Sequence, residues 1–199
     1  MTKTVEFYFD VGSPAAYLAW TQMQKLAAEN GARLVLKPML LGGVFQATGN
    51  RSPTEVPAKS KYLKDDLDRY ARRYGVPYKQ NPFFPINTLT LMRGATGLQM
   101  RSEERLVPYV DAVYRAIWVD GKNMGDPAVV GAVLQSAGFD PAELLALAAD
   151  PEVKDRLKAV TQDAVARGVF GAPSFFIDGQ MYWGQDRLDF VKDALKATS

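Results

Sequence analysis

The pattern at the start of the chain restricts the fold more than any other feature of the sequence. Residues 4–9 (TVEFYF) are β-branched and aromatic, which predicts a strand. Gly12, Ser13 and Pro14 follow, and Pro14 suits the first position of a helix because its missing N–H is not needed there. Ser13 is then the predicted N-cap of that helix. A second strand is predicted over residues 32–36, so the three elements form a right-handed crossover unit.

The end of the chain adds a helix, a hairpin and a final helix. The first of these helices is predicted over residues 152–167. The segments Ser174–Ile177 and Gln180–Trp183 are predicted to be the two strands of a hairpin, because Asp178 and Gly179 between them strongly favour a two-residue turn. The last helix follows this hairpin directly.

The middle of the chain contains helical patterns, and no strand is predicted there. Residues 42–53 (GGVFQATGNRSP) are rich in turn-forming residues and are predicted to be an irregular loop. Helices are predicted over residues 59–74, 88–100, 103–119, 127–137 and 141–149. The order of elements is that of a thioredoxin-like domain interrupted by a large helical insertion. We therefore predict an α/β fold, with a thioredoxin-like domain in residues 1–42 and 153–199 and an all-helical domain in residues 43–152.

Two absences limit the chemistry of this chain. Its 199 residues include no cysteine and no histidine. The chain therefore has no thiol of its own for redox cycling, and it lacks the commonest general base and metal ligand. We expect no metal site. The formal net charge of +2 gives no sign of a partner such as nucleic acid or an anionic membrane surface. We see no signal peptide and no membrane-spanning stretch, so we expect a cytoplasmic protein.

Ser13 has two interpretations. In the first it is only an N-cap, which stabilises the helix by about 1 kcal/mol. In the second, the N–H groups and the positive end of the dipole at the helix start stabilise an anion. No histidine is present to activate a serine nucleophile. We therefore expect the Ser13 hydroxyl to donate a hydrogen bond to the thiolate of a bound ligand and to lower the pKa of that thiol.

The segment before the hairpin has two interpretations as well. Gly171-Ala172-Pro173 is a turn in the simpler one. In a thioredoxin fold, however, a cis-proline begins the hairpin and faces the helix start. The backbone N–H and C=O of Ala172 would then be free to pair with an extended peptide whose sulfur lies at Ser13. Glutathione has that shape.

Polar residues elsewhere offer further contacts for such a ligand. Residues 184–187 (GQDR) begin the last helix, where backbone N–H groups suit a carboxylate and Asp186 suits an ammonium group. Asn50 and Asn87 carry amides that both donate and accept hydrogen bonds, and Lys61 suits a ligand carboxylate. Taken singly, each of these residues is also consistent with an ordinary cap, turn or solvated charge.

Four stretches of the sequence, in order along the chain, carry a family resemblance: FYFDVGSPAAYLA, LLGGVFQATGN, FPINTLTLMRGA and GVFGAPSFFIDGQMYWGQDRLDFV. Through them the chain resembles the kappa-class glutathione transferases and, more closely, the bacterial 2-hydroxychromene-2-carboxylate isomerases. The resemblance implies glutathione as cofactor and a homodimer. By the same resemblance, glutathione would contact Ser13, Asn50, Ala172, Gly184, Gln185, Asp186 and Arg187, and the aromatic substrate would contact Asn50, Lys61, Tyr62 and Asn87.

The activity implied by the resemblance is a glutathione-dependent isomerisation. The isomerases of this family interconvert 2-hydroxychromene-2-carboxylate and trans-o-hydroxybenzylidenepyruvate in naphthalene-type catabolism, by reversible addition of the glutathione thiolate. By the resemblance, Ser13 would be the catalytic residue. The nearest alternative is a kappa-class transferase that conjugates glutathione to electrophiles. A third possibility is a glutathione-binding or peptide-binding module without catalysis. The absence of cysteine disfavours a thiol–disulfide oxidoreductase. The sequence does not identify the physiological chromene substrate.

Overall fold

The computed structural model describes residues 2–197 and contains a four-stranded sheet with helices on both faces. The strands are β1 (Thr4–Phe9), β2 (Arg33–Pro38), β3 (Ser174–Ile177) and β4 (Gln180–Trp183). The α-helices are α1 (Pro14–Glu29), α2 (Leu41–Thr48), α3 (Pro57–Tyr74), α4 (Leu89–Arg101), α5 (Leu106–Trp118), α6 (Pro127–Ser136), α7 (Pro141–Ala149), α8 (Pro151–Ala166) and α9 (Leu188–Lys196). Short 3-10 helices cover Pro53–Glu55, Glu103–Arg105 and Gln185–Arg187. Within the described residues, no helix combines the length and the apolar character that crossing a membrane requires.

The sheet is mixed, with the strand order β2-β1-β3-β4. β1 and β2 are parallel and are joined by α1, whereas β1–β3 and β3–β4 are antiparallel pairs. The predicted crossover unit and the predicted hairpin are both present, and β3 and β4 have the bounds expected from the sequence. The predicted class, an α/β thioredoxin-like fold with a helical insertion, is confirmed.

Alternate residues of the strands pack on opposite faces of the sheet. Phe7 and Phe175 stack on the face that α1 covers, with ring centroids 5.0 Å apart. Tyr8 and Phe176 meet edge to face on the other side at 5.6 Å, in a cluster to which α2 and α8 also contribute. Because both faces are covered, Phe7 and Tyr8 are each fully buried although they are neighbours in the chain.

The helix α2 differs from the expectation. An irregular loop over residues 42–53 was predicted, and this is wrong for residues 42–48, which belong to α2. Two glycines in its first turn lower the helix propensity of the segment. Val44 is nevertheless fully buried against α8, and Gly43 allows a close approach, since a Cβ there would lie 3.3 Å from the Cγ2 of Thr161. Tertiary packing therefore stabilises a helix that the local sequence disfavours.

The boundaries of other elements also differ from the predicted ones by one to three residues. β2 continues to Pro38 instead of ending at residue 36. Because β2 is an edge strand, a residue without an N–H is tolerated there. The helix predicted from residue 103 begins with the 3-10 turn Glu103–Arg105 before α5.

The helices between β2 and β3 share an apolar core with the sheet. α4 supplies Met92 and α5 supplies Tyr109 to the cluster that also contains Phe7 and Phe175. The helical part of the chain thus packs directly against the strands that position the candidate site. The division into two domains at residue 43 and residue 152 stays a prediction.

Candidate functional site

Ser13 lies at the start of α1, just beyond the carboxyl end of β1. Its backbone is extended (φ −94°, ψ 117°), and its Oγ accepts a hydrogen bond from the N–H of Ala16 at 3.1 Å. The same hydroxyl donates to the carbonyl oxygen of Ala172, 3.0 Å away. The predicted N-cap is therefore confirmed. Ser13 is only 4% exposed, and its hydroxyl joins the start of α1 to the segment that precedes β3.

Ala172 precedes Pro173, and the peptide bond between them is cis, as expected for this fold. The sequence led us to expect that both backbone polar groups of Ala172 are free. Its carbonyl is instead paired with Ser13, because a capping hydroxyl that has accepted one hydrogen bond still has a proton to donate. The N–H of Ala172 forms no hydrogen bond within residues 2–197, so this half of the expectation holds.

A buried carboxylate, Asp10, lies beneath the loop that carries Ser13. Its Oδ1 accepts from the N–H of Gly12 and its Oδ2 from the N–H of Leu41, both at 2.8 Å, and the hydroxyl of Thr88 bonds it as well. Burial raises the pKa of Asp10, and these three hydrogen bonds oppose the rise. Asp10 thus holds together the starts of α1, α2 and α4.

Two aromatic side chains fix the same region from other elements. Trp118, which is fully buried, donates from Nε1 to the carbonyl of Val11 at 2.9 Å. Tyr17, in the first turn of α1, donates to the carbonyl of Pro77 at 2.5 Å. These bonds hold the loop and the helix start in place without using the Ser13 hydroxyl.

Residues 184–187 lie next to the cis-proline and against α1. The N–H of Gly184 donates to the carbonyl of Pro173 at 3.0 Å, and the φ of Gly184 is +101°, which favours glycine. The carbonyl of Gln185 accepts from the hydroxyl of Tyr74 at 2.5 Å. Burial raises the pKa of Tyr74 to about 12, so this hydroxyl keeps its proton well into the alkaline range. The second helix start is thus fixed beside the first.

Asp186 and Arg187 form an ion pair with each other. Their side chains are 32% and 44% exposed, so the pair contributes little to stability. Asp186 also lies over Gly184, where a Cβ would clash with its Oδ1. That Asp186 binds the ammonium group of a ligand stays a prediction. Such a group would either share the Asp186 carboxylate with Arg187 or replace Arg187 as its partner.

Asn50 lies beside the same loop as Ala172. Its Nδ2 donates to the carbonyl of Phe170 at 2.8 Å, and its Oδ1 accepts from the N–H of Arg51 at 2.9 Å. The rings of Phe170 and Trp183 pack with centroids 5.1 Å apart and are partly exposed. The structure therefore brings Asn50, two residues beyond the end of α2, next to the segment that leads into the cis-proline.

The remaining predicted residues are found before α4 and on α3. Asn87 is exposed, its Oδ1 accepts from the N–H of Leu89 at 3.0 Å, and its neighbour Thr88 bonds the buried carboxylate. Lys61 and Tyr62 lie in the second turn of α3, and Tyr62 is 64% exposed. Within residues 2–197, neither side chain forms a hydrogen bond to another predicted site residue, so their placement in the site stays a prediction.

Neither Asp10 nor Tyr74 was predicted from the sequence. A signal for Asp10 was available, because an acidic residue directly follows a strand of apolar and aromatic residues. A charge at such a position has to be buried with partners or turned to solvent. Nothing local indicates Tyr74, whose hydrogen-bond partner Gln185 is 111 residues away in the chain.

Comparison with known proteins agrees with this fold. A family model described as a DSBA-like thioredoxin domain matches residues 4–196. The chain belongs to this family. It is similar to a 2-hydroxychromene-2-carboxylate isomerase from Sphingobium xenophagum, with 34% identity over 197 residues, which cover 98% of this chain and 99% of the relative. It is also similar to the human glutathione S-transferase kappa 1, with 27% identity over 207 residues, covering 98% and 92% of the two chains.

Two solved structures are similar to this chain. The structure of a selenomethionine 2-hydroxychromene-2-carboxylate isomerase has a TM-score of 0.85 and 30% identity, and the match covers 96% of this chain and 94% of that one. A probable DsbA oxidoreductase from Streptomyces coelicolor has a TM-score of 0.75 at 22% identity, covering 97% and 88%, and so shares the fold. This DsbA-like chain itself contains no cysteine.

Proposed function

We propose that the chain is a glutathione-dependent isomerase that interconverts 2-hydroxychromene-2-carboxylate and trans-o-hydroxybenzylidenepyruvate. The observation that carries this proposal is the Ser13–Ala172 hydrogen bond at the start of α1, in a chain without cysteine or histidine. A helix start that favours an anion but supplies no thiol suits a thiol brought by a cofactor. Relatives with this isomerase name are 34% and 31% identical to the chain, over 98% and 96% of its length.

The residues around Ser13 suit glutathione. The first turn of α1 contains no acidic residue, and the N–H of Ala15 forms no hydrogen bond within residues 2–197, so this helix start favours a thiolate. The free N–H of Ala172 suits a carbonyl of the cysteinyl residue. The segment of residues 184–187 would hold the γ-glutamyl end, with Asp186 for its ammonium group and backbone N–H groups for its carboxylate.

When bound, glutathione supplies a thiolate that adds reversibly to a conjugated ring system and leaves again after a single bond has rotated. In this proposal Ser13 turns its hydroxyl from Ala172 towards the sulfur, and the hydrogen bond stabilises the ionised form of the thiol. The dipole of α1 acts in the same direction. Asn50 and Gln185, each fixed by a hydrogen bond to another element, keep the walls of the site in place.

Ser13 acts in this proposal as a hydrogen-bond donor and not as a nucleophile. A serine hydroxyl needs an adjacent base to become a good nucleophile. The chain has no histidine, and each oxygen of Asp10, the nearby buried carboxylate, already accepts a backbone N–H. Without a base, the useful property of this hydroxyl is its proton.

We also propose that Asn50, Lys61, Tyr62 and Asn87 contact the aromatic carboxylate substrate. Lys61 would supply the cation for the carboxylate, and the two asparagines would supply amides for the hydroxyl and keto oxygens. A homodimer in the cytoplasm completes this proposal. The homodimer is what the resemblance to the isomerases and kappa-class transferases implies.

A second candidate is a kappa-class transferase that conjugates glutathione to electrophiles. The similarity to the human kappa enzyme over 98% of the chain favours it. The two candidates share the glutathione site and differ in the product, because a transferase accumulates a stable conjugate. A thiol–disulfide oxidoreductase would need a redox-active cysteine in this chain, and there is none.

The pKa of the bound glutathione thiol tests the role of Ser13. A hydrogen bond to a charged group contributes about 1.5–3 kcal/mol, which corresponds to about one to two pKa units. Thiolate absorbance measured against pH should therefore give a lowered pKa in the wild type and a pKa higher by about one unit or more in Ser13→Ala. Ser136→Ala, at an exposed serine on α6, is the matched control and should leave the value unchanged. The same thiol pKa in wild type and Ser13→Ala would refute the proposed role.

A further inference from the structure

A cavity of about 310 Å³ lies within the helical part of the chain, between α4, α5, α6 and α7. Buried leucines form its walls, among them Leu134 and Leu144, which are 3% and 4% exposed. Leu145 also lines it and is 59% exposed. Neither Ser13, nor Ala172, nor any of residues 184–187 is part of its lining. The cavity is therefore separate from the candidate glutathione site.

The chemistry of the lining selects a neutral and mostly apolar molecule. No charged side chain lines the cavity. An anion or a cation inside it would lose water without gaining a counter-charge, which is unfavourable. The hydroxyl of Tyr109 is already used, since it donates to the carbonyl of Leu91 at 2.9 Å. Asn87, which is also one of the proposed substrate contacts, is part of the lining. The hydroxyl of Thr90, which has no part in the proposed isomerase site, is the polar group for one ligand atom.

The glycines around the cavity differ in the space beside them. In α4, a Cβ at Gly94 would lie 2.6 Å from the hydroxyl of Tyr109, and a Cβ at Gly97 would lie 2.9 Å from the Cβ of Leu147. Those two glycines allow close contacts. At Gly131 in α6 the nearest atom to such a Cβ, apart from the adjoining backbone of α6 itself, is 4.0 Å away, on Pro141. A side chain at position 131 would therefore enter open space.

We propose that this cavity is a second binding site, for a neutral molecule of two fused aromatic rings with one polar substituent. An apolar cavity of about 150 Å³ is large enough for benzene, so about twice that volume accommodates two fused rings. A carbon-lined pocket of this size with few polar groups is typical of small-molecule sites. Because the proposed isomerase substrate is a carboxylate, and the cavity lacks a cation, this ligand is a different molecule. The proposal does not depend on the isomerase activity.

The test is calorimetric binding of 2-naphthol and of 2-naphthoate to the full chain at neutral pH. These probes have the same rings, and only the second is charged. We expect one molecule of 2-naphthol per chain and at least tenfold weaker binding of 2-naphthoate. Saturating glutathione should not displace 2-naphthol. Equal binding of the two probes, displacement by glutathione, or no binding of 2-naphthol up to its solubility limit would each overturn the proposal.

Two variants on the same helix locate the bound probe. Gly131→Leu fills the cavity and should weaken 2-naphthol binding at least tenfold, and leucine in place of glycine suits the helix. Ala132→Leu adds a similar side chain at the neighbouring exposed position and should leave binding unchanged. Equal 2-naphthol affinity in the two variants would show that 2-naphthol does not bind in this cavity. The comparison of the two probes on the wild type stays decisive if Gly131→Leu fails to fold.

Discussion

Replacing Ser13 with alanine should destabilise the protein by about 2 kcal/mol, even without any ligand. The Oγ of Ser13 accepts from the N–H of Ala16 and donates to the carbonyl of Ala172, so the substitution removes two hydrogen bonds. Loss of an N-cap costs about 1 kcal/mol. The unpaired carbonyl of Ala172 adds about 1 kcal/mol, because Ser13 is 4% exposed and water reaches this point poorly.

Ser13→Gly is the matched variant, since it loses the same bond to Ala172 but costs only a few tenths of a kcal/mol as a cap. Urea unfolding should therefore place wild type first, Ser13→Gly second and Ser13→Ala last, with unchanged m-values. For a chain of this length, the alanine variant should melt about 4–8 °C below the wild type. A loss below about 0.5 kcal/mol in Ser13→Ala, or a glycine variant less stable than the alanine variant, would refute this reasoning.

Three further substitutions test other parts of the site. Burial raises the pKa of Asp10, so the folded state keeps the proton of this carboxyl to higher pH than the unfolded chain does. The stability contributed by Asp10 therefore falls as pH rises through the raised pKa. Asp10→Asn should remove that fall, and identical pH profiles of unfolding in wild type and variant would contradict it. Tyr74→Phe leaves the carbonyl of Gln185 without its donor and should cost about 1 kcal/mol in urea unfolding, so an unchanged midpoint would speak against the bond. Asp186→Asn should weaken glutathione binding about tenfold in calorimetry. It should leave the affinity for glutaryl-cysteinylglycine, which lacks the amino group, unchanged. Equal weakening for both ligands would exclude a contact between Asp186 and the ammonium group.

Local signals predicted the parts of the fold that depend on neighbouring residues. Asp178 and Gly179 fixed the hairpin, and both of its strands have the predicted bounds. The N-cap at Ser13 was likewise visible, because Ser-Pro after a strand is a local pattern. The helix α2 was not visible, since its stability comes from the burial of Val44 against α8, more than a hundred residues later in the chain.

The same distinction applies to the candidate site. Ser13, Ala172 and the segment after β4 were predicted, and the structure brings them together through hydrogen bonds. The second bond of Ser13, to Ala172, was not predicted, because it joins residues that are 159 positions apart. Asp10 was missed although its place at the end of β1 is a usable signal, since its three donors come from three different segments. Long-range partners of a buried polar group are what a single sequence conceals.

An absorbance time course with 2-hydroxychromene-2-carboxylate, with and without glutathione, tests the central claim most directly. Free thiol is titrated at the end of each reaction. The account predicts that the chain accelerates formation of the ring-opened isomer only when glutathione is present, and that all of the glutathione is recovered. Acceleration without glutathione, consumption of glutathione in proportion to product, or no acceleration at all would contradict the account.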